Sequence, residues 1–366
     1  MVHNFNAGPS ILPPEVFQEA AAAVLNFNNT GLSILEYGHR TPAFEAIMQE
    51  ARLLMKDLMN LDDDHEVLFL HGGASTQFMQ VPMNLLDQKE TAAYTDTGVW
   101  AAKAIKEAKF FGKPEIVCSS KEHNYTFLPK DFAVPNDAKY LHITTNNTIY
   151  GTQWQKIPVT SNSMVADMSS DILSRSLDFN AFDLIYAGAQ KNIGAAGVTA
   201  VIVNKNILGK TKRAIPTMMD YRNHISEGSM LNTPPVFAVY TCMLTLRWLK
   251  KQGGVKAIEK INNEKAALLY EEIDRNPLFR GTVEKEDRSK MNVCFVMNDP
   301  TRENEFLKYA TEQNIIGIKG HRSAGGFRAS LYNAMPAKSV AFLVAVMQDF
   351  EKKFNLRSET TLVSHI

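Results

Sequence analysis

The 366-residue sequence predicts an α/β protein with a large domain on a mainly parallel, seven-stranded sheet and a smaller α/β domain at the C-terminal end. Seven strand-like apolar runs alternate with helical patterns between residues 67 and 203, which is typical of a parallel sheet flanked by helices. After about residue 234, a long helical region is followed by fewer strands. The hydrophobic content of 45% is enough to bury a large core.

The elements follow in order along the chain. The seven runs that predict strands are Val67–Leu70, Thr91–Asp96, Glu115–Ser119, Tyr140–Thr144, Met164–Met168, Phe182–Ala187 and Val198–Val203. Before them, apolar residues from Phe44 to Leu58 recur at helical spacing, with Thr41 as the predicted cap and Pro42 at the first helical position. The later part predicts helices Val236–Leu249, Val255–Ile273, Glu303–Gln313 and Ala337–Lys353, and strands Asn292–Met297 and Phe327–Leu331. We place the large domain at residues 16–260 and the small domain at 261–366, joined by the N-terminal segment 1–15.

Charge and cysteine usage exclude several classes of protein. Thirty-nine basic and 39 acidic residues give no net charge, so neither nucleic acid nor a membrane surface is an expected partner. The cysteines Cys118, Cys242 and Cys294 lie far apart without a CxxC pair, which argues against a disulfide framework and against a zinc site. The N-terminus lacks the regions of a signal peptide and no apolar run is long enough for a membrane span, so we expect a cytoplasmic protein without a bound metal.

Lys191 and Asp167 are the strongest candidates for chemistry. Each follows an apolar strand, and sheets of this class bind ligands beyond the carboxyl ends of their strands. A partly desolvated lysine can lose its proton near neutral pH and form an imine with an aldehyde. Pyridoxal phosphate needs such a lysine for its aldehyde and an acid for its ring nitrogen. Taken singly, Asp167 could equally cap a solvated turn and Lys191 could be a surface lysine.

Other residues follow the same strand ends. Gly72-Gly73 form a small-residue turn into a helix that could bind phosphate, or could be a tight turn without a ligand. The ring of Trp100 could stack on a heterocycle or belong to the core, and Thr148 could bind a ring substituent or form a turn. The nearest approach to a P-loop has Asn204 where the first glycine belongs, which excludes a P-loop ATPase. The convergence of these features favours one ligand site.

Cationic side chains form two further groups. His39 and Arg40 close the segment 35–40, and His321, Arg322 and Arg328 lie within a glycine-rich stretch of ten residues, 319–328. Arginine binds carboxylate or phosphate with two parallel hydrogen bonds, and the small neighbours leave room for a ligand. Salt bridges at the rim would explain one or two of these residues. The grouping predicts a clamp for an anionic substrate.

The motifs together resemble the phosphoserine aminotransferases, fold-type I pyridoxal phosphate enzymes of the class V aminotransferase group. The resemblance rests on Asn6–Pro9, His39–Arg40, His71–Gly73, Ala187–Gly194, Gly228–Pro235, Gly320–Arg322 and Arg328–Pro336. It implies that Lys191 binds the cofactor aldehyde, Asp167 pairs with the ring nitrogen, Trp100 stacks on the ring and Thr148 holds the 3' hydroxyl. It further implies that the cofactor phosphate is held by Ala74, Ser75 and Gln190, with Asn232 and Thr233 reaching in from the second subunit of a homodimer. For the substrate, it implies that Arg328 binds the α-carboxylate. The distal anion would be bound by His39, Arg40, His321 and Arg322.

The activity implied by this resemblance is amino transfer between glutamate and 3-phosphohydroxypyruvate, giving phosphoserine and 2-oxoglutarate in serine biosynthesis. A second implied reaction aminates 3-hydroxy-2-oxo-4-phosphooxybutanoate in pyridoxal phosphate biosynthesis. Three alternatives stay open: another small-acid transaminase of the alanine-glyoxylate or serine-pyruvate type, an aldolase that uses Lys191 without pyridoxal phosphate, and a non-catalytic binding module of the same fold.

Overall fold

The computed structural model describes the backbone of residues 1–363 and the side chains of residues 1–353. Residues 364–366, the last three of the predicted small domain, lie outside the described residues. In the described chain, strands and helices follow one another in the order that the apolar pattern predicts.

The main sheet has seven strands. They are β2 (His65–Leu70), β3 (Thr91–Asp96), β4 (Lys113–Ser119), β5 (Tyr140–Thr144), β8 (Ser163–Asp167), β9 (Leu184–Gly188) and β10 (Thr199–Asn204), numbered along the chain. Their order across the sheet is β2-β10-β9-β8-β5-β3-β4. All neighbours from β9 to β4 pair in parallel, whereas β10 pairs antiparallel with both β2 and β9. The mainly parallel sheet predicted from the sequence is therefore confirmed.

The strand directions bring most carboxyl ends to one edge of the sheet. Because β2 and β9 both run antiparallel to β10, β2 points the same way as β9 and as the other parallel strands. The segments that follow β2, β3, β5, β8 and β9 therefore emerge side by side. A short hairpin of β6 (Asn146–Asn147) and β7 (Thr152–Gln153) follows β5 at this edge.

Helices cover both faces of the sheet. The α-helices of the described chain are α1 (Pro14–Asn26), α2 (Pro42–Met59), α3 (Gly73–Leu85), α4 (Val99–Ala108), α5 (Tyr221–Ser226), α6 (Val236–Lys251), α7 (Gly254–Arg275), α8 (Glu303–Glu312) and α9 (Ala337–Val363). Side chains alternate along each strand, so Val67 and Phe69 pack with α1, α2 and α6, while Leu68 and Leu70 pack with α3 and α4. Helix α9 continues ten residues past the predicted end, since the sequence from 337 to 363 has no Pro or Gly to stop it.

The predicted start of helix α2 is confirmed in position, but its cap residue makes no side-chain hydrogen bond to the helix. Thr41 does stand at the cap position of α2 and Pro42 does begin the helix, but the Thr41 side chain accepts no hydrogen bond from the first turn. Its hydroxyl instead donates to Gly38 O at 2.8 Å, which closes the preceding turn. The Thr41 hydroxyl therefore stabilises the turn before the helix and not the first N–H groups of the helix.

A second sheet lies in the C-terminal part of the chain. Its antiparallel strands are β11 (Phe279–Gly281), β12 (Asn292–Met297) and β14 (Phe327–Ser330), in that order. Phe295 and Phe327 pack there with α7, α8 and α9 in a separate apolar core. The sequence predicted β12 and β14 but not the three-residue β11.

The N-terminal segment returns to this second core. Strand β1 (His3–Asn4) pairs in parallel with β13 (Ile315–Ile316), and Phe5 is buried in the same core. Helix α7 packs in both cores, because Ile258 belongs to the first and Leu269 to the second. The boundary between residues 260 and 261 falls within this helix, and the division into domains at 16–260 and 261–366 stays a prediction. Within the described chain, none of the helices has the length and apolar character to cross a membrane.

Candidate active site

One cavity collects the residues that follow the strand ends. Seven of the predicted site residues line it, namely Ala74, Ser75, Trp100, Thr148, Asp167, Gln190 and Lys191. They come from the segments after β2, β3, β5, β8 and β9, which are far apart in the sequence. Lys191 and Asp167 thus face a single ligand-sized space and not two separate ones.

Lys191 lies three residues after β9 and is partly buried. Its Nζ donates a hydrogen bond of 2.8 Å to Thr148 Oγ1. Burial lowers the pKa of Lys191 to about 8; the neighbouring Asp167 opposes this shift and the positive charge of Arg328 adds to it. A fraction of such a lysine is a neutral amine at pH 7 and can attack a carbonyl carbon.

The N-terminal segment fixes the backbone of the Lys191 turn. Ser10 N donates to Gln190 O at 2.9 Å, and Ser10 Oγ donates to Lys191 O. Gly8 has a φ of +150°, and a Cβ there would lie 3.3 Å from Lys191 Cγ. The segment therefore packs directly on the lysine, and a larger residue at position 8 would displace its side chain.

Asp167 is the last residue of β8 and is 4% exposed. Its Oδ1 accepts a hydrogen bond of 2.9 Å from Ser169 N. Burial raises the pKa of this carboxyl, while Ser169 and the charge of Lys191 act in the opposite direction. Asp167 does hold the turn at Ser169, as one reading of the sequence had it, but in a buried position beside Lys191 and not in a solvated loop.

The turn from β2 into α3 exposes backbone N–H groups to the cavity. Gly72 and Gly73 have φ values of +94° and +69°, a conformation that favours glycine. Helix α3 begins at Gly73, so the N–H groups of its first turn, including Ala74 and Ser75, have no helical partner. Backbone N–H groups at the start of a helix, together with the helix dipole, are suited to binding an anion.

Trp100 and Thr148 both lie close to the amine of Lys191. Trp100 is in the first turn of α4, and its ring centroid is 5.9 Å from Lys191 Nζ. Trp100 Nε1 is buried and has no hydrogen-bond partner in the structure. Thr148, in the loop of the β6–β7 hairpin, accepts from Lys191 through its hydroxyl. Its carbonyl accepts a long hydrogen bond of 3.4 Å from Arg328 Nη1.

Several cations converge beside this cavity. Arg328 lies on β14, and its Nε is buried without a hydrogen-bond partner in the structure. The pKa of His321 is lowered by burial and by the positive charges of Arg328, Arg322 and Lys103. His321 is held by Ser323, whose Oγ lies 2.7 Å from His321 Nδ1. Because these positive groups repel one another, an anion among them would be bound favourably.

Seven predicted site residues do not line the cavity of this single chain: the cationic residues His321, Arg322 and Arg328, and the four residues His39, Arg40, Asn232 and Thr233. His39 and Arg40 lie before α2, and His39 Nε2 is buried without a hydrogen-bond partner in the structure. Asn232 and Thr233 lie near the phosphate turn, since His71 Nε2 donates to Thr233 O at 2.8 Å. Thr233 is exposed. The predicted roles of Asn232 and Thr233 require a second subunit, and the roles of all four residues stay predictions.

The sequence reasoning missed five residues that also line the cavity: Phe78, Thr144, Asn146, Ser169 and Ser170. A sixth lining residue, Gly73, belongs to the predicted Gly72-Gly73 turn. Thr144 ends β5, Asn146 follows it, and Ser169 and Ser170 follow β8. The rule that found Asp167 and Lys191 applies to them as well, because they too lie at carboxyl ends of strands. Phe78 is one turn into α3, where only the three-dimensional structure brings it to the cavity.

Comparison with known proteins identifies the class. A family model for class-V aminotransferases matches residues 2–343, and the chain belongs to this family. It is 57% identical to a phosphoserine aminotransferase of Flavobacterium johnsoniae over 352 residues, which covers 96% of this chain and 99% of the relative. A phosphoserine aminotransferase of Parabacteroides distasonis is likewise 57% identical, over 96% of this chain and 99% of its own.

Solved structures agree with this assignment. The phosphoserine aminotransferase of Bacillus circulans subsp. alkalophilus superposes with a TM-score of 0.94 at 42% identity, covering 96% of this chain and 99% of that one. A PLP-bound phosphoserine aminotransferase from Trichomonas vaginalis superposes with a TM-score of 0.90 at 35% identity, covering 95% and 100%. The fold-type I architecture predicted from the sequence is thereby confirmed.

Proposed function

We propose that the chain is a pyridoxal phosphate-dependent phosphoserine aminotransferase. It would transfer an amino group from glutamate to 3-phosphohydroxypyruvate, giving phosphoserine and 2-oxoglutarate in serine biosynthesis. The observation that carries the proposal is that Lys191 and Asp167 line one cavity and Arg328 contacts Thr148 of the same cavity, in a chain 57% identical to proteins of that name.

The residues of the cavity fit pyridoxal phosphate. Two buried polar atoms there, Trp100 Nε1 and Thr144 Oγ1, have no hydrogen-bond partner in the structure. The first turn of α3, which also lines the cavity, has backbone N–H groups without a helical partner and no side-chain cap. We assign the cofactor phosphate to Ala74, Ser75 and Gln190, the ring to Trp100, the 3' hydroxyl to Thr148, the ring nitrogen to Asp167 and the aldehyde to Lys191. When bound, the cofactor supplies an electron sink for the pair left by the broken Cα–H bond.

The side chains of the chain itself move and hold the protons. Lys191 Nζ has a pKa of about 8, so its free amine can take the α-proton of the amino acid and later return it. Thr148 Oγ1 orients this amine, since it lies 2.8 Å from Nζ. Asp167, buried beside Lys191, would keep a proton on the ring nitrogen of the cofactor because its negative charge is poorly solvated there.

The cationic residues near the cavity could bind both substrates. Glutamate and phosphoserine each carry an α-carboxylate and a second anionic group. We assign the α-carboxylate to Arg328, whose guanidinium lies beside Thr148 at the cavity. His321 and Arg322, with His39 and Arg40, would bind the distal carboxylate or phosphate.

A comparison of amino acceptors tests the proposed substrate. With glutamate as donor, we expect kcat/KM for 3-phosphohydroxypyruvate to exceed that for pyruvate or glyoxylate by about 100-fold, because lost contacts to a charged group cost roughly 3 kcal/mol. The rates are measured from the 2-oxoglutarate formed, with Lys191→Ala as the inactive control. A preference for glyoxylate would replace this proposal by an alanine-glyoxylate type of transaminase.

The same comparison covers the second reaction. We propose that 3-hydroxy-2-oxo-4-phosphooxybutanoate is also aminated, which would serve pyridoxal phosphate biosynthesis. It presents the same α-carboxylate and phosphate, separated by one additional carbon. Support comes from the loop 319–326, which carries the distal cations and is rich in glycine, so the phosphate position can adapt.

We propose a homodimer in which each active site uses residues of both subunits. Leu32 and Leu35, four to seven residues before His39 in the sequence, are exposed apolar residues, and a second copy would cover them. His39 Nε2 lacks a partner within the chain, and Asn232 and Thr233 lie outside its own cavity. In the dimer, His39, Arg40, Asn232 and Thr233 would complete the site of the other subunit.

Mixed dimers test the shared site. Arg40→Ala alone should lower kcat/KM by about 100-fold through loss of a charged contact. Protomers with Arg40→Ala and with Lys191→Ala, carrying different affinity tags, are expressed together and the mixed dimer is isolated. We expect about half of the wild-type rate per dimer, since one of its two sites is complete. If Arg40 served its own chain, both sites would be defective and the mixed dimer would be as inactive as its parents.

We also propose a cytoplasmic location for this activity. Cys118, Cys242 and Cys294 are free thiols, and burial raises the pKa of Cys242 and Cys294, which keeps them as unreactive thiols. Free thiols are typical of a reducing compartment.

A further inference from the structure

Lys265 is a buried lysine that the proposed chemistry does not use. It lies on α7, is 1% exposed and takes part in none of the salt bridges found among the described residues. Its Nζ donates instead to three backbone carbonyls, Leu331 O at 2.9 Å, Tyr332 O at 2.8 Å and Met335 O at 3.1 Å. An ammonium group has three donors, so all of them are used.

The three carbonyls belong to the turn that follows β14, the strand of Arg328. This turn begins one residue after β14 ends at Ser330. Tyr332 O also accepts from Met335 N at 2.8 Å, so removing the ammonium would take the donor from two buried acceptors, Leu331 O and Met335 O. Each such group costs roughly 1–3 kcal/mol. The turn would then move to find other partners, and β14 would move with it.

Asparagines connect the same turn to the catalytic lysine. Asn333 N donates to Asn192 Oδ1 at 2.9 Å, and Asn192 is the residue after Lys191. Asn333 Oδ1 accepts from Asn262 Nδ2 at 2.8 Å, one turn of α7 before Lys265. Helix α7 therefore holds, through two side chains, a turn that contacts both the Arg328 strand and the Lys191 segment.

The N-terminal segment meets the turn as well. Tyr332 Oη donates to Ala7 O at 2.6 Å, and Gly8, the next residue, packs on the Lys191 side chain. The turn 331–335 is thus the common contact of three segments that form the site.

We infer that Lys265 is a positioning residue for substrate binding: it fixes the turn 331–335 and so sets the placement of Arg328 relative to Lys191. Asn262 supports the same turn through Asn333. The inference rests on the proposed function only in assigning Arg328 to the substrate carboxylate. It predicts that loss of Lys265 impairs binding of acids more than it impairs the chemistry at Lys191.

The test replaces Lys265 by Met, which keeps the length and removes the donors. In the cofactor-loaded protein, glutarate is titrated and its Kd is read from the change in cofactor absorbance. We expect the Kd of glutarate and the KM for glutamate each to rise about tenfold, because a misplaced Arg328 loses roughly one to two kcal/mol of binding free energy. We expect kcat to change less than about threefold. Glutarate does not react, so its binding reports on Arg328 whether or not phosphoserine is the substrate.

Ile273→Ala is the matched control for general destabilisation. Ile273 is on the same helix, fully buried, and eight residues from Lys265. It should lower the melting temperature without changing the Kd of glutarate. An equal increase in Kd in this variant, or an unchanged Kd and KM in Lys265→Met, would refute the positioning role.

Asn262→Ala covers the case in which Lys265→Met does not fold. It removes the hydrogen bonds from Nδ2 to Asn333 and to Ser174 O but keeps the lysine. The expected rise in the Kd of glutarate is about threefold, in line with one neutral hydrogen bond. An unchanged Kd in Asn262→Ala, with Lys265→Met unfolded, would also contradict the inference. A wild-type protein that binds glutarate but does not turn over phosphoserine would instead refute the proposed function alone.

Discussion

Replacing Lys191 by Ala should abolish transamination, with a fall in kcat of about 10⁴-fold or more, because nucleophile and proton carrier are lost together. Among the residues that line the cavity in the described chain, Lys191 is the one with an amine. The variant should still bind pyridoxal phosphate through the phosphate turn, but without the covalent bond. Activity assays and the absorbance of the bound cofactor measure the two effects.

The pH dependence of cofactor capture shows whether Lys191 acts as a neutral amine or through its positive charge. With a pKa of about 8, Lys191 is mostly protonated at pH 6 and mostly neutral at pH 9. Capture of pyridoxal phosphate by the apo-protein should therefore quicken about tenfold per pH unit below pH 8 and level off above it. Lys191→Arg keeps a positive charge and should be as inactive as Lys191→Ala. Lys205 is an exposed lysine paired with Asp64, so the control variant Lys205→Ala should behave as wild type. More than about a tenth of wild-type activity in Lys191→Ala would contradict its role.

The fold was largely predictable because its strands carry a clear pattern. Each of the seven main strands was placed within two residues at either end, and the strand-helix order followed from the alternation. The antiparallel direction of β10 was not predictable, since Val198–Val203 is as apolar as its parallel neighbours. The two- and three-residue strands β1, β11 and β13 are too short to show any periodicity.

The site was predictable where it depends on strand ends and not where it depends on packing between distant segments. Asp167, Lys191 and Thr148 lie within a few residues of strand ends, so the sheet brings them together. The cover formed by Gly8 and Ser10 depends on the path of the N-terminal segment. The bonds of Lys265 to the turn 331–335 depend on how α7 packs, and no spacing in the sequence indicates them.

Replacing Asp167 by Ala or Asn should lower kcat by about 10³-fold, the loss expected when one preorganised charge is removed from an active site. Without the carboxylate, the ring nitrogen of the cofactor loses the group that holds its proton, and the electron sink weakens. The cofactor should still bind, because Lys191 and the phosphate turn are intact. Single-turnover rates with glutamate measure the chemical step, and absorbance measures the bound cofactor. Activity near that of the wild type would overturn the assignment.

Two comparisons distinguish this loss from simple damage to the fold. Asp287 is also a buried carboxylate that accepts a backbone N–H, from Leu128, but it does not line the cavity, so Asp287→Asn should keep kcat within about threefold. The stability of Asp167→Asn gives the second comparison. Since burial raises the pKa of Asp167, its charged form costs stability at pH 7, a cost that grows as pH rises through the folded-state pKa. Asparagine carries no charge and so has no such cost, and its side-chain oxygen can still accept from Ser169 N. The melting temperature of apo Asp167→Asn at pH 7 should therefore equal or exceed that of the apo wild type, although the variant has lost catalysis.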